Sequence, residues 1–218
     1  MPDLPIQHAP RPPDVRREDD FYPTAQPDAA RGLILAEGWR LSELGGVISE
    51  PAVGDGHLAR EFEAHGFTVR GGDLVQRKWE GITCLGSFYE ATEAAAPVII
   101  TNPPFSEISA RDGHGRWLRH TLSLPGWRYL ALLLSWDWCA AQKNGHAALL
   151  DAQPFSYAYV LRWKLDFTGE RSPPQRNAWF IWDRDDPRST PGNGPYPEPS
   201  FRFMDKPRCD TARQVALL

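Results

Sequence analysis

An α/β fold built on a mostly parallel sheet is the class that this sequence predicts, and three observations predict it. Val47-Ile48 leads into a Gly-x-Gly turn at Gly54-Asp55-Gly56 and then into a helical pattern beginning near Leu58. Phe67-Thr68-Val69 leads to a carboxylate at Asp73. Pro97-Val98-Ile99-Ile100 leads to Asn102-Pro103-Pro104-Phe105. Short apolar runs that alternate with helical stretches make the crossover units of a parallel sheet.

The elements follow in order along the chain. Residues 1–19 are rich in Pro, Arg and Asp and lack an apolar centre, so they read as a disordered lead-in and not as a secretory signal. Residues 28–39 read as a helix with Ala29, Leu33, Leu35 and Ala36 near one side. The helix after Gly56 has Leu58, Ala59 and Phe62 on its inner face. Ile82-Thr83-Cys84-Leu85 is a third strand, followed by Gly86-Ser87-Phe88-Tyr89. Residues 127–135 form another buried strand, ending in Trp136-Asp137-Trp138, where the two indoles are either a pocket wall or core. The β-rich stretches 155–162 and 177–182 make a closing antiparallel pair around the loop 166–176. A single domain is expected over 20–186, with an irregular Pro/Gly-rich tail over 187–218 and no separate second domain.

With 41% hydrophobic residues the chain has the composition of a soluble globular protein. It has no apolar run near the roughly 20 residues that span a bilayer. Its three cysteines, Cys84, Cys139 and Cys209, are widely spaced, fit no zinc pattern, and suit a reducing cytoplasm. A net charge of −4 argues against a protein dominated by nonspecific phosphate attraction, yet it leaves room for a local basic face. Arg111, Arg116 and Arg119 directly follow the Asn-Pro-Pro-Phe segment and are either phosphate contacts or solvated surface.

The chemistry concentrates in two places. Two consecutive prolines fix φ twice and remove two backbone donors, leaving carbonyls and the Asn102 amide oxygen to accept from an outside NH₂ group. Phe105 offers a flat face for a ring. The Gly-x-Gly turn lets a ligand approach the backbone, and an acid at the tip of the second strand, here Asp73, accepts from ribose hydroxyls in nucleotide-type α/β folds.

Glu50-Pro51-Ala52-Val53-Gly54-Asp55-Gly56 together with Asn102-Pro103-Pro104-Phe105 resembles motifs I and IV of the amino-methylating DNA methyltransferases, S-adenosylmethionine-dependent enzymes acting on adenine N6 or cytosine N4. Phe21-Tyr22-Pro23-Thr24 resembles motif X of small phage and prophage adenine methyltransferases. The resemblance implies a Rossmann-like class I methyltransferase fold, with a mostly parallel seven-stranded sheet, an antiparallel closing strand and helices on both faces. It implies S-adenosylmethionine as cofactor, held by Phe21, Tyr22, Thr24, Glu50, Pro51, Gly54, Gly56, Asp73, Ser87, Phe88 and Asn102. The acid that the family usually has after the third strand is replaced by Ser87-Phe88. Methyl transfer is expected at Asn102, Pro103, Pro104 and Phe105, with the base stacked on Phe105. The loop around Phe167, Arg171 and Arg176 resembles motif VIII, which lies over the flipped base, or is an exposed hairpin loop. The expected partner is DNA, with adenine as the base, and the expected state is a monomer or homodimer without metal. RNA, a protein glutamine, or a non-catalytic nucleic-acid-binding role on the same fold are the alternatives.

Overall fold

The structure is a computed structural model that describes residues 24, 26–111, 113–167, 175–186 and 199–208. In chain order it runs α1 (Asp28–Glu43), β1 (Val47–Glu50), α2 (His57–Ala64), β2 (Thr68–Asp73), β3 (Ile82–Leu85), β4 (Val98–Thr101), α3 (Phe105–Ile108), α4 (Arg116–Ser123), β5 (Tyr129–Ser135), α5 (His146–Ala152), β6 (Tyr157–Leu161), β7 (Asn177–Asp183) and β8 (Ser200–Met204). The strands form one sheet in the order β3-β2-β1-β4-β5-β7-β6-β8. β7 is antiparallel to both neighbours, and every other pairing is parallel.

Both faces of the sheet are covered, which explains why its central strands read as continuous apolar runs. Side chains alternate across the pleat. Val98 and Ile100 of β4, Tyr129, Ala131 and Leu133 of β5, and Trp179 and Ile181 of β7 face the layer formed by α1 and α2. Ile99, Leu130, Leu132, Phe180 and Trp182 face α4 and α5, where Trp117, Leu118 and Leu149 meet them.

Two sequence expectations change. The sheet has eight strands, because residues 200–204, within the stretch expected to be an irregular tail, pair with β6 in register from Tyr157↔Ser200 to Leu161↔Met204. The prolines before Ser200 hide a Phe-Arg-Phe alternation too short to register as a strand by itself. In α1 the inner face is Ala29, Ala30, Leu33, Ile34, Glu37 and Leu41, while Leu35 is exposed. The buried carboxylate at Glu37 broke the apolar pattern. It is satisfied by two β6 phenols, Tyr157 at 3.0 Å and Tyr159 at 2.5 Å. One turn on, Arg40 makes a two-pronged contact with Asp183 of β7, both bonds 2.8 Å. Helix α1 is thus fixed along its length to β6 and β7.

On the same face, towards the β3 edge of the sheet, Trp79 is buried against three glycines. A Cβ on Gly56, Gly71 or Gly81 would lie 2.3, 2.0 or 2.5 Å from the indole. The missing side chains form the slot that seats the ring between α2 and β2. Gly71→Ala is expected to destabilise the protein by about 1–3 kcal/mol through overpacking. In urea unfolding, Trp79→Leu in the Gly71→Ala background should return part of that loss, and additive effects would show that the slot does not exist.

Candidate functional site

Strands β1, β2, β4 and β5 all end at one edge of the sheet, so parallel pairing delivers their terminal residues to a common cleft. β1 ends at Glu50, β2 at Asp73, and β4 at Thr101 with Asn102-Pro103-Pro104 following.

The Gly-x-Gly turn is built by backbone. Val53 N donates to Gly72 O and Gly56 N to Val53 O, both 2.9 Å. Gly54 and Gly56 have φ of 55° and 75°, left-handed values that cost a side-chain-bearing residue free energy. Gly54 N donates to Asp73 Oδ2 at 2.7 Å, which ties the turn to the tip of β2. Asp73 Oδ1 accepts from Val75 N at 3.1 Å. An ionised carboxylate offers about four lone-pair sites, so Asp73 keeps acceptor capacity towards a ligand.

Lys78 Nζ lies 3.0 Å from Asp55 Oδ2. Burial would lift the Asp55 carboxyl, but the Lys78 ammonium outweighs it and holds the group below the usual range. With Trp79 in its glycine slot, Lys78 straps the segment after β2 across the turn. Sequence reading missed this strap. Its available signal was a tryptophan flanked in the chain by Gly71 and Gly81.

Glu50 is 3% exposed, and its Oε2 has no hydrogen-bond partner among the described residues. Burial pushes its carboxyl well above the ordinary value, and the Asp73 charge adds to the shift. A buried, partnerless acceptor beside a second carboxylate suits a ligand that brings positive charge.

At the other half of the cleft, Asn102 Nδ2 donates to Thr24 Oγ1 at 3.1 Å. The segment before α1 is thereby brought onto the Asn-Pro-Pro-Phe turn. The Pro104 carbonyl accepts from Glu107 N and Ile108 N, both 3.1 Å, and so starts α3. Phe105 is 47% exposed.

The remaining sequence-predicted residues divide. Ser87 caps the short turn after β3, accepting from Tyr89 N at 3.3 Å. The Phe88 ring stacks on Trp117, centroids 4.8 Å apart, on the α4 side of the sheet. Pro51 lies beside Gly72. Arg116 Nε donates to Glu107 Oε2 at 2.9 Å, and its guanidinium sits 4.5 Å from the Tyr89 ring centre. Tyr89 also donates to Glu107 at 2.5 Å. Burial and the neighbouring carboxylate push the Tyr89 phenol up to about 12. Arg119 donates to the carbonyls of His114 and Gly145, at 3.1 and 3.2 Å. These two arginines thus hold the loop after α3 in shape. Arg111 is exposed on that loop. Phe167 is half-buried against the α1-side core, and Asp166 N before it donates to Gln26 Oε1 at 3.0 Å. Arg176 is exposed at the start of β7. Phe21, Tyr22 and Arg171 lie outside the described residues. No group of three or more His, Cys, Asp or Glu suited to a metal occurs among the described residues, and no helix there is long and apolar enough to cross a membrane.

No family model matches the sequence, and no curated protein matches it. Solved structures do match. A type I restriction-modification system methyltransferase subunit from Streptococcus thermophilus superposes with a TM-score of 0.54 at 14% identity, over 84% of this chain and 47% of that one. A candidate RNA methyltransferase from Pyrococcus horikoshii superposes with a TM-score of 0.51 at 12% identity, over 71% and 82% of the two chains. A candidate class I S-adenosylmethionine-dependent methyltransferase from Listeria monocytogenes gives 0.50 at 13% identity, over 87% and 68%. The chain has the class I methyltransferase fold. It spans about half the length of the restriction-modification subunit it resembles.

The Glu50 environment makes a stability prediction. Its folded pKa lies above the unfolded value of about 4.3. The buried neutral form therefore stabilises the protein fully below that value, and the contribution is lost as pH rises through the folded pKa. Glu50→Gln should make the ligand-free protein more stable than the parent, by a margin that grows with pH across this window in thermal melts. A margin independent of pH would mean that Glu50 ionises normally.

Proposed function

We propose that the chain is an S-adenosylmethionine-dependent methyltransferase acting on the exocyclic amine of a base in nucleic acid, with adenine N6 of DNA as the first substrate. One juxtaposition carries the proposal. The Asn102-Pro103-Pro104-Phe105 turn and the Gly54–Asp73 turn stand at the ends of adjacent strands, and Thr24 bridges towards the first of them.

S-adenosylmethionine would supply a methyl group already activated on a sulfonium. Asp73 is assigned to its ribose hydroxyls, the glycine turn to close backbone contact, and Glu50 to its positive end. The buried, partnerless Glu50 oxygen is the observation that fits such a ligand. Ser87 at the tip of β3 is assigned to the adenine side.

The chain's own work on the substrate is orientation. An exocyclic amine is a weak nucleophile because its lone pair is delocalised into the ring. Asn102 Oδ1 and the Pro103 carbonyl are assigned to accept its two hydrogens, since the Pro104 carbonyl is committed to α3. Those bonds draw the nitrogen towards tetrahedral geometry and stabilise the positive charge it gains. Phe105, half exposed at the turn, is assigned to stack the base, which must be unpaired or leave a duplex to arrive there. An RNA base amine would meet the same groups, and one fold neighbour is a candidate RNA methyltransferase.

Asn102→Ala should lower methyl transfer by at least about a hundredfold, the scale of losing one preorganised partner of the developing charge. Calorimetric affinity for S-adenosylmethionine should stay within a few fold. Near-normal turnover in this variant would remove Asn102 from the proposal. Asp73→Ala should weaken S-adenosylmethionine binding by about tenfold or more, in keeping with the loss of charge-assisted hydrogen bonds of about 1.5–3 kcal/mol. Unchanged affinity would reassign the ribose contact.

A further inference from the structure

We propose that a single-stranded polynucleotide lies along the sheet edge that continues from Phe105 past the ends of β5, β7, β6 and β8, with Trp136 as a second stacking platform and Arg176 and Arg162 as phosphate contacts. This deepens the proposed function and rests on it.

The strip is continuous. Trp136 follows the last residue of β5 and is 50% exposed, whereas Trp138 is buried and donates from Nε1 to Ile108 O at 3.0 Å. That bond holds the turn carrying Trp136 against α3, which begins at Phe105. Trp136 N donates to Arg176 O at 3.1 Å. Arg176 Nη1 donates to Arg162 O at 2.8 Å, and Arg162 N to Met204 O at 3.0 Å. Backbone and side-chain bonds thus link the ends of β5, β7, β6 and β8 in spatial order. With strands about 4.8 Å apart, the four spacings from β4 to β8 cover about 19 Å, a length for a few nucleotides.

The chemistry of the strip points to an unpaired strand. Two half-exposed aromatic faces have no use for a duplex, whose bases are already stacked, but they accept the faces of unpaired bases. The only described helix starting at this turn, α3, has four residues and is too short to enter a groove. Among the described residues the cations along the strip are few and partly engaged. Arg162 Nη1 meets Asp205 at 3.1 Å, Lys206 meets Asp28 at 3.1 Å, and Asp137 stands beside Trp136. Exposed pairs of this kind exchange readily for phosphate. The balance suits binding carried mainly by stacking and little by charge, in keeping with a net charge of −4.

The test is fluorescence anisotropy of the full chain with short labelled single-stranded DNA, single-stranded RNA and duplex DNA. Single strands should bind more tightly than duplex, and the tighter of the two single strands identifies the sugar. Trp136→Ala should weaken single-strand binding at least about fivefold, and Trp136→Phe should retain most of it. Arg176→Ala should flatten the salt dependence by about 0.7 in the log–log slope, the loss of one phosphate contact. All three variants should keep the parent's calorimetric affinity for S-adenosylmethionine, which shows the fold intact. Equal or tighter binding of duplex, or single-strand binding unchanged in Trp136→Ala, overturns the strip even where methyl transfer to nucleic acid proceeds. An enzyme that binds S-adenosylmethionine but methylates no nucleic acid overturns instead the function on which the strip rests.

Discussion

The hydrogen bond from Gly54 N to Asp73 Oδ2, at 2.7 Å, sets the geometry on which the rest of the site depends. It requires the first strand-to-helix turn and the tip of the second strand to come within one bond of each other. The turn reaches it with two left-handed glycines, Gly54 and Gly56. Beside this bond, Gly56 and Gly71 help line the slot filled by Trp79, and Glu50 is buried near the Asp73 carboxylate. A packing constraint and an electrostatic one therefore meet at the same turn. The half of the cleft proposed for the cofactor thus holds two neighbouring acids, Glu50 and Asp73, with Arg77 3.9 Å from Asp73 and Lys78 on Asp55 beside them.

The half proposed to take the acceptor is held differently. Its turn is stiffened by two prolines, but its position relative to the rest depends on α1. That helix is fixed far from the cleft by Arg40 on Asp183 and midway by Glu37 between two β6 tyrosines. Its leading segment carries Thr24 to Asn102. A polar network remote from the chemistry thus bears on the orientation of the asparagine amide. Burying Glu37 is costly unless its oxygens are satisfied, so the phenols specify where the helix can sit as well as stabilising it there. On the far side, the Tyr89–Glu107–Arg116 cluster connects the turn after β3 with α3 and the start of α4, so these elements are joined by side chains as well as by the sheet.

What was legible in the sequence was local. The glycine turn, Asp73 and the Asn-Pro-Pro-Phe segment are each read from a few consecutive residues, because turn chemistry and strand ends write themselves into short stretches. The mostly parallel sheet followed from the same alternation of strands and helices. What was not legible depended on distant partners. Leu35 is exposed because Glu37 takes the inner face, and nothing near Glu37 in the chain announces Tyr157 and Tyr159. β8 is an edge strand whose pairing is supplied by β6. Phe88 stacks on Trp117, and Arg116 and Arg119 bond to neighbouring protein groups, because the loop after α3 folds back on itself with Gly113 against the Ser106 carbonyl. A run of arginines beside a site shows the charge that is present and not where it is spent.

The central claim is that this cleft places a nucleic-acid amine against an activated methyl group. The most direct measurement is to incubate the purified chain with isotopically labelled S-adenosylmethionine and unmethylated DNA and RNA, digest each polymer to nucleosides, and identify the labelled product by mass spectrometry. The account predicts label on an exocyclic amine, with N6-methyladenine from DNA as the leading product. Label on a ring carbon, or on neither polymer, would contradict it.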